Sequence, residues 1–340
     1  MTSASFIEAT APARVDLAGG TLDLWPLHAL HPGSVTVNLA IDRRASCRVL
    51  PGGNGIHLLA PDRGVDVRVS RARDLQADPR TALVGALVEE VWPDGGLDIE
   101  FRSGVPFGSG LGGSSALAVA TAAALSRAAG RDLNGAGGVE FVRDVETRVL
   151  GKPAGVQDYY PAFEGGLHCL WFETGRTVAE RRDVDPAVWE RHLTLFDTGA
   201  SHSSGMNNWE VFRRRLEGDE GVARSLDAIA DAARRMASAA AALDFGAMGA
   251  ALREEWAARR ELAPVVSSPL IERAIATALG AGAWGGKACG AGGGGCVVFL
   301  SPDDRTRAVR EALSRMGDGA LLAVRAESQG LEVGDRPRLP

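Results

Sequence analysis

The amino-acid sequence predicts an α+β protein built from two lobes. The chain of 340 residues exceeds a single domain of ordinary size, which has about 100–200 residues. Short β-rich runs and longer helical stretches are mixed without a strict β-α-β-α alternation, which favours α+β over a doubly wound sheet. The hydrophobic share of 45% and the charged share of 24% are those of a globular chain and exclude disordered, collagen-like and coiled-coil proteins.

The first part of the chain, residues 5–103, is predicted to form mainly strands. Its runs are short, rich in β-branched residues and bounded by Pro, Gly, Asp and Asn, as strands commonly are. The predicted strands cover residues 35–41, 45–50, 56–59, 65–69 and 97–101. One helix, over residues 80–92, is predicted to interrupt them.

Helical periodicity dominates after residue 113. The predicted helices cover residues 114–129, 138–150, 205–216, 221–242, 246–261, 269–280 and 303–316. Further strands are predicted over residues 166–173, 192–196, 295–300 and 319–327. We place the N-terminal lobe at residues 1–200 and the C-terminal lobe at residues 201–340, although residues 150–200 fit either lobe.

Charge and cysteine content exclude several classes of protein. The net charge of −6 argues against a nucleic-acid binder, whose surface is usually basic. No apolar run approaches the ~20 residues that span a bilayer, and the N-terminus has no basic, apolar leader, so we expect a cytoplasmic protein without a membrane partner. The 4 cysteines are too few and too scattered for a disulfide framework and are expected to be free thiols.

The glycine-rich stretch over residues 105–117 is the sharpest motif. It follows a predicted strand and opens an Ala-rich helix at Ser114. Glycine tolerates positive φ and lets bare N–H groups approach a ligand, and a helix N-terminus adds unpaired donors and partial positive charge. The stretch is therefore predicted to bind phosphate. Its predicted contact residues are Pro106, Gly108, Gly110, Leu111, Gly112, Gly113, Ser114 and Ser115.

The same stretch matches G-x-G-x-x-G at residues 108, 110 and 113, a weak sign of a dinucleotide-binding fold. Such a fold has the motif after its first strand and an acidic residue about 20 positions later. Here several predicted strands precede the motif and two predicted helices follow it, so we reject that fold. The Walker pattern G-x-x-x-x-G-K-[ST] is also absent, because no lysine follows these glycines.

Three further segments carry candidate functional residues. In the early segment, Arg14 and Asp16 lie on a predicted strand. Two glycines end this strand, and Asp23 follows in the turn that they begin. A middle segment carries two acids, Glu146 near the end of a predicted helix and Asp158 after a tight loop. The late segment, residues 285–296, contains four consecutive glycines before an apolar strand. Such glycines are costly in backbone entropy and indicate a close approach of the backbone to another group.

Together the four segments resemble the GHMP kinases, the superfamily named for galactokinase, homoserine kinase, mevalonate kinase and phosphomevalonate kinase. In order, they match R-[IV]-x-L-x-G-G-x-x-D, P-x-G-x-G-L-G-x-S-S-A, G-x-x-D and K-x-x-G-A-G-G-G-G over residues 11–300. Within the superfamily they are most similar to the sugar kinases that include D-glycero-D-manno-heptose 7-phosphate kinase, fucokinase and galactokinase.

The early turn departs from the patterns of this sugar-kinase branch. Gly20 and Thr21 stand where galactokinase has Glu-His. The segment Thr21-Leu22-Asp23 replaces the Gly-Thr-Asp of the heptose kinases. In the middle loop, Gly113 stands where that branch usually has serine. These changes leave the phosphate loop intact and leave the identity of the sugar open.

The resemblance implies a fold and a set of residue roles. It implies an N-terminal lobe like ribosomal protein S5 and a ferredoxin-like C-terminal lobe, with ATP and substrate between them. Ser115 and Glu146 are implied to hold Mg²⁺, a hard ion that prefers oxygen ligands. Asp158 is implied as the catalytic base, with Arg14 beside it. The implied substrate-binding residues are Asp23, Gly20, Gly292 and Gly293.

The function implied by the resemblance is ATP-dependent phosphorylation of a small molecule in carbohydrate metabolism. The γ-phosphoryl group would pass to a hydroxyl, the anomeric one, of a sugar or of a sugar phosphate such as a heptose 7-phosphate. The protein is expected to be a monomer or a homodimer. Two alternatives stay open: a kinase or decarboxylase of a mevalonate-type acid, and a non-catalytic sensor that binds ATP and sugar. A sensor would have lost its base or a metal ligand, and both are present here.

Overall fold

Two β-sheets and the helices packed against them organise the part of the chain that the computed structural model describes, which is residues 5–133, 135–200 and 204–337. The strands are β1 (Ser5–Ala18), β2 (Val35–Pro51), β3 (Ile56–Ala60), β4 (Val65–Val69), β5 (Leu97–Arg102), β6 (Leu167–Glu173), β7 (Arg176–Arg182), β8 (Leu193–Asp197), β9 (Gly285–Ala288), β10 (Cys296–Leu300), β11 (Ala320–Leu322) and β12 (Glu332–Pro337). The α-helices are α1 (Leu27–Leu30), α2 (Ala82–Val91), α3 (Gly113–Ala128), α4 (Gly135–Leu150), α5 (Tyr159–Glu164), α6 (Pro186–Glu190), α7 (Ser204–Leu216), α8 (Glu220–Ala242), α9 (Phe245–Arg260), α10 (Pro269–Gly280) and α11 (Asp303–Ser314). Short 3₁₀-helices lie at Pro61–Arg63, Ala72–Ala77 and Pro264–Val266.

The larger sheet has 8 strands and is built around the long strand β2. Its main order is β12-β1-β2-β5-β3-β4, and β6 and β7 continue from β2. Strand β2 has three neighbours because its first half, from Val35, pairs with β6 and its second half, to Pro51, pairs with β5, while β1 follows its other edge. Strands β3 and β5 pair in parallel and the other pairs are antiparallel.

The smaller sheet has 4 antiparallel strands in the order β11-β8-β10-β9. Its strand β10 is buried along its whole length, because both of its faces are covered. Cys296, Val298 and Leu300 pack in the cluster that includes β1 and β2 of the larger sheet. Val297 and Phe299 pack instead with residues of helices α8 to α11. Because successive side chains of a strand point to opposite faces, β10 packs against the larger sheet with one face and against the helices with the other.

Strand β1 carries two buried charged residues. Ala13, Val15 and Leu17 pack in the apolar cluster shared with β10. Arg14 and Asp16 alternate with them, so these two side chains share the other face of the strand, and both are buried. Buried charged groups need partners, and those of Arg14 and Asp16 come from distant parts of the chain.

The structure confirms the α+β class and the long predicted helices. Strand β2, predicted as two runs, continues through its charged middle. The arginines there bind backbone carbonyls of neighbouring segments. Arg43 donates to Ala323 O, and Arg44 donates to Thr10 O and Gly330 O. The strand predicted over residues 319–327 is shorter, and forms β11.

Three strands were absent from the sequence prediction. Strand β7 is a highly charged edge strand on β6, and β12 is a polar strand that pairs with β1. Strand β9 is buried but contains two glycines and a lysine, a composition that predicts a loop. Each lacks the alternating apolar pattern that identifies strands from sequence.

The two sheets interleave along the chain. Strand β8 precedes residue 200 and lies in the smaller sheet, whereas β12 lies near the C-terminus and belongs to the larger sheet. The division into lobes 1–200 and 201–340 remains a prediction, and the sheets cross that boundary in both directions. The four cysteines are free and buried, as expected. Within the described residues, the helices lack the combination of length and apolar character needed to cross a bilayer.

Candidate active site

A cavity of about 810 Å³ brings most of the predicted site residues together. Its wall combines the glycine-rich loop before α3, the turn after β1, the ends of α4 and α5, and part of α7. The predicted residues that line it are Arg14, Gly20, Asp23, Pro106, Gly108, Gly110, Leu111, Gly112, Gly113, Ser114, Ser115, Glu146 and Asp158. Two predicted substrate contacts, Gly292 and Gly293, are not part of this wall.

The late glycine loop lines the cavity through Gly290 and Ala291, which precede the two predicted contact residues in the sequence. The N–H of Gly293 donates to the carbonyl of Val266 at 2.6 Å. A Cβ on Gly292 would lie 2.2 Å from the same oxygen. Close packing on Val266 accounts for both glycines, and their assignment to the substrate remains a prediction.

The loop between β5 and α3 has the geometry of an anion-binding loop. Gly108, Gly110 and Gly112 have φ values of 72°, 74° and 69°, a region that residues with a Cβ rarely adopt. Gly112 is the N-cap of α3, and no side chain caps this helix end. The N–H groups of the first turn are therefore left for a ligand, and the helix dipole favours a negative one. We refer to residues 106–115 as the phosphate loop.

The late glycine loop packs directly on the phosphate loop. Cys296 N–H donates to Ser109 O at 2.8 Å, and a Cβ on Gly295 would lie 2.6 Å from that oxygen. A Cβ on Gly110 would lie 2.4 Å from Cys289 O. The two glycine clusters of the sequence thus allow two backbones to approach each other.

Alanine at Gly110 is expected to weaken this contact and the use of ATP. The new Cβ would meet Cys289 O at 2.4 Å, and the positive φ itself costs about 1–2 kcal/mol. The matched control is Gly130→Ala, since Gly130 has φ +68° and open space around it. We expect both variants to lose stability in thermal unfolding through the positive φ, and Gly110→Ala to lose more because its Cβ also meets Cys289 O. Only Gly110→Ala should raise the KM for ATP. Equal ATP KM values in the two variants would contradict the packing role.

Arg14 connects the phosphate loop to Asp158. Its Nε lies 2.8 Å and its Nη2 2.6 Å from Asp158 Oδ1, and its Nη1 donates to Gly110 O at 2.6 Å. The backbone N–H of Arg14 also donates to Leu111 O. Burial opposes the charge of Arg14, but Asp158 and Asp16 hold its pKa above the ordinary value. One guanidinium thus fixes both the loop and the carboxylate.

Four oxygen-bearing side chains converge beside the Arg14–Asp158 pair. Ser115 Oγ lies 3.3 Å from Glu146 Oε2 and 3.5 Å from Asp158 Oδ2. Glu146 also accepts from Ser114 Oγ at 2.9 Å and from the Tyr159 hydroxyl at 2.5 Å. Burial raises the pKa of Glu146, although the three hydroxyl donors act in the opposite direction. The cluster offers hard oxygen ligands next to the phosphate loop.

Asp23 lies in the turn after β1 and is 5% exposed. Its Oδ2 accepts the N–H of Gln157 at 3.1 Å. A Cβ on Gly155 would lie 1.8 Å from the same oxygen, so glycine at that position makes room for the carboxylate. Burial raises the pKa of Asp23 to about 6; the Gln157 N–H acts against this, and the charge of Asp158 adds to it.

Part of the wall was not predicted from the sequence. Helix α7 contributes Asn208, Trp209 and Phe212, with the two aromatic rings stacked at 5.4 Å. Thr21 Oγ1 donates to Asn208 Oδ1 at 3.0 Å, which ties α7 to the turn that carries Asp23. None of these three residues was among the predicted site residues, because an aromatic pair at helical spacing usually packs in a core.

Models of one superfamily match both parts of the chain. The model described as GHMP kinases N terminal domain matches residues 80–166, and the model described as GHMP kinases C terminal matches residues 236–319. The first range contains the phosphate loop, Glu146 and Asp158, and the second contains the late glycine loop. The chain belongs to the GHMP kinases. The predicted superfamily and its kinase activity are thereby confirmed.

The relatives that this chain resembles are named for different substrates. The chain is 26% identical over 304 residues to "D-glycero-alpha-D-manno-heptose 7-phosphate kinase" of Campylobacter jejuni, covering 86% of this chain and 89% of the relative. It is 27% identical over 347 residues to "Mevalonate kinase" of Thermococcus sibiricus, covering 96% and 98%. The solved structure of a D-glycero-D-manno-heptose 1-phosphate kinase from "Bacteriodes thetaiotaomicron" superimposes with a TM-score of 0.76 at 22% identity over 96% of this chain and 98% of that one. This structural likeness confirms the fold of the GHMP kinases.

Proposed function

We propose that this GHMP kinase transfers the γ-phosphoryl group of ATP to a hydroxyl of a sugar or a sugar phosphate. The observation that carries the proposal is the arrangement around Arg14, which bonds both the phosphate loop and Asp158. A carboxylate fixed beside a phosphate-binding loop can accept the proton of an attacking hydroxyl. Asp23 lines the same cavity and supplies a second carboxylate for the remaining hydroxyls.

This mechanism divides the tasks among the phosphate loop, Asp158 and Arg14. The N–H groups of the phosphate loop hold the ATP phosphates. Asp158 Oδ2, the oxygen that does not contact Arg14, accepts the proton of the acceptor hydroxyl. Arg14 orients Asp158 and stabilises the negative charge of the phosphoryl group in flight. Phosphoryl transfer of this kind depends chiefly on positioning and charge stabilisation.

The residues beside the phosphate loop fit a divalent cation. Ser115 Oγ and Glu146 Oε2 lie 3.3 Å apart and both line the cavity, and Mg²⁺ at kinase sites takes one or two protein oxygens together with phosphates and waters. Bound Mg²⁺ would supply positive charge to the phosphates of ATP. The hydroxyls of Tyr159 and Ser114 hold the Glu146 carboxylate in place, one on each oxygen.

A sugar fits the acceptor end better than a carboxylic acid does. Asp23, Gln157 and Asn208 line it. A carboxylate accepts hydrogen bonds from hydroxyls, and an amide can both donate to them and accept from them. A mevalonate-type acid offers fewer hydroxyls for these groups to bind than a sugar does. The relative named as a heptose 7-phosphate kinase also supports a sugar acceptor. The phosphorylated hydroxyl, a cytoplasmic location and a monomeric or homodimeric state remain predictions.

The test is a screen of acceptors by ADP release from ATP and Mg²⁺. The panel contains free hexoses and heptoses, their terminal phosphates and mevalonate. We expect turnover that requires a sugar or sugar phosphate and disappears when Mg²⁺ is chelated. Turnover with mevalonate above that with every sugar would favour the acid kinase. Tight ATP and sugar binding by calorimetry without any ADP release would favour the sensor.

The pH dependence of acceptor use tests the role of Asp23. Because burial raises the pKa of Asp23 to about 6, the carboxylate that accepts from hydroxyls is ionised above this pH and protonated below it. We expect kcat/KM for an unphosphorylated sugar to fall about tenfold between pH 7 and pH 5. An uncharged acceptor is needed because a phosphate group titrates near pH 6. In Asp23→Asn, the fall of kcat/KM between pH 7 and pH 5 is expected to disappear. If the variant shows the same fall as wild type, Asp23 is not the group that titrates.

A further inference from the structure

A buried cluster of four charged residues lies outside the cavity, and the mechanism above does not use it. Asp16, Glu255 and Lys287 are 0% exposed and Arg259 is 1% exposed, and none of them lines the cavity. They come from β1, α9 and β9, which meet between the two sheets. Two positive and two negative groups balance each other.

The members of this cluster bond to each other at short distances. Lys287 Nζ lies 2.9 Å from Asp16 Oδ2 and 3.3 Å from Glu255 Oε1. Arg259 Nε lies 3.0 Å from the same Glu255 oxygen. Burying charge is costly, and apolar replacement of a buried ion pair often leaves stability unchanged or improves it. Stability alone is therefore a weak reason for this arrangement.

Arg259 also reaches out of the cluster to the turn that precedes Asp23. Its Nη2 donates to Gly20 O at 2.8 Å, and its Nη1 donates to Thr21 Oγ1 at 3.3 Å. Thr21 has φ +79°, and a β-branched residue with positive φ is a strained conformation that its surroundings must hold. The guanidinium bonds both residues at the strained point of the turn.

We propose that Arg259 is a positioning residue for the acceptor sugar. Glu255 bonds its guanidinium, and Lys287 links Glu255 to Asp16. The guanidinium in turn holds the carbonyl of Gly20 and the side-chain hydroxyl of Thr21. The turn then presents Asp23 to the cavity. The inference rests on the proposed function in one respect, the role of Asp23 as the carboxylate that contacts the acceptor.

A charge-neutral double variant separates positioning from stability. Glu255→Leu with Arg259→Met removes one charge of each sign and leaves the Asp16–Lys287 pair intact, so the fold is expected to survive. Arg260→Met is the matched control, because Arg260 lies on the same helix with an exposed ion pair to Glu272. Arg259→Lys is a second variant, since lysine keeps the charge but lacks the fork that reaches both acceptors.

The readouts are kinetic and structural. We expect the double variant to raise the acceptor KM at least about tenfold, as for loss of hydrogen bonds from a charged group. The KM for ATP should stay within about twofold of wild type, since the phosphate loop is untouched, and the Arg260→Met control should match wild type throughout. Hydrogen exchange by mass spectrometry should accelerate over residues 19–24 in the variant without any substrate present.

Each possible outcome supports or overturns the positioning role of Arg259 or the proposed function. An acceptor KM like that of wild type in either folded Arg259 variant, with unchanged exchange over residues 19–24, overturns the positioning role. Equal increases in the KM for ATP and for the acceptor also overturn it, because they indicate general loosening. Absence of sugar turnover in the wild type rejects the proposed function instead. In that case faster exchange confined to residues 19–24 still supports control of the turn by Arg259.

Discussion

Replacement of Asp158 by asparagine is expected to lower kcat by about 10²–10⁴-fold, the usual contribution of a general base. Asparagine keeps the shape of the side chain and can still accept from Arg14 through its amide oxygen. It cannot accept the proton of the attacking hydroxyl. The KM for ATP should stay close to that of wild type, because the phosphates are held by the phosphate loop and Asp158 has no bond to that loop's backbone. The measurement is steady-state ADP release with the best acceptor of the screen.

Asp144→Asn is the control for this prediction. Asp144 is an exposed acid of α4 paired with its neighbour Arg143, so the variant should match wild type in kcat and in thermal unfolding. If Asp158→Asn retains a kcat within about threefold of wild type, well short of the loss expected for a base, Asp158 is not the base. A large rise in the KM for ATP would instead place Asp158 among the phosphate contacts.

The phosphate loop could be predicted from the sequence because its structure is encoded locally. Gly108, Gly110 and Gly112 all adopt positive φ, and the helix that follows begins directly after them. The glycine spacing, the preceding strand and the helix all fall within one short segment. Local chemistry therefore predicts both the backbone conformation and the ligand class.

Contacts between distant segments could not be derived in this way. Arg14 and Asp158 are 144 positions apart, and only the resemblance to a known superfamily predicted that they meet. Asp16 and Lys287 are 271 positions apart, and no motif pairs them. Arg259 lies in α9, a helix with several charged residues, and no sequence pattern distinguishes it from the exposed arginines of the same helix. Its burial follows from the packing of α9 against β9 and the turn after β1, which depends on the whole topology.

The late glycine loop shows that glycines can indicate a close approach of the backbone without identifying the group that is approached. Consecutive glycines before β10 indicated a close approach of the backbone, and the approach is real. The partners are Val266 and the phosphate loop itself, and Gly292 and Gly293 do not line the cavity. A glycine in the sequence shows that a position has no side chain. The group that packs there comes from a distant part of the chain and cannot be predicted from the local sequence.

Replacement of Arg14 by methionine is expected to lower kcat by about 10²–10³-fold, as for loss of one preorganised donor to developing charge, and also to raise the KM for ATP. Two functions are lost together. Asp158 Oδ1 loses its partner, and Gly110 O loses a donor at 2.6 Å, so the phosphate loop loses its anchor. Leaving these groups unsatisfied should also lower the free energy of unfolding by about 1–3 kcal/mol.

The effect on ATP distinguishes Arg14→Met from Asp158→Asn, in which the phosphate loop keeps its anchor. Arg14→Lys should recover part of the stability but little of kcat, because a lysine ammonium cannot bond Gly110 and Asp158 in the fork geometry of a guanidinium. Arg48→Met, which removes an arginine from a surface pair with Glu8, is the control for loss of charge and should keep both constants. A folded Arg14→Met protein with kcat and the KM for ATP both near wild type would show that the guanidinium neither orients the base nor anchors the phosphate loop.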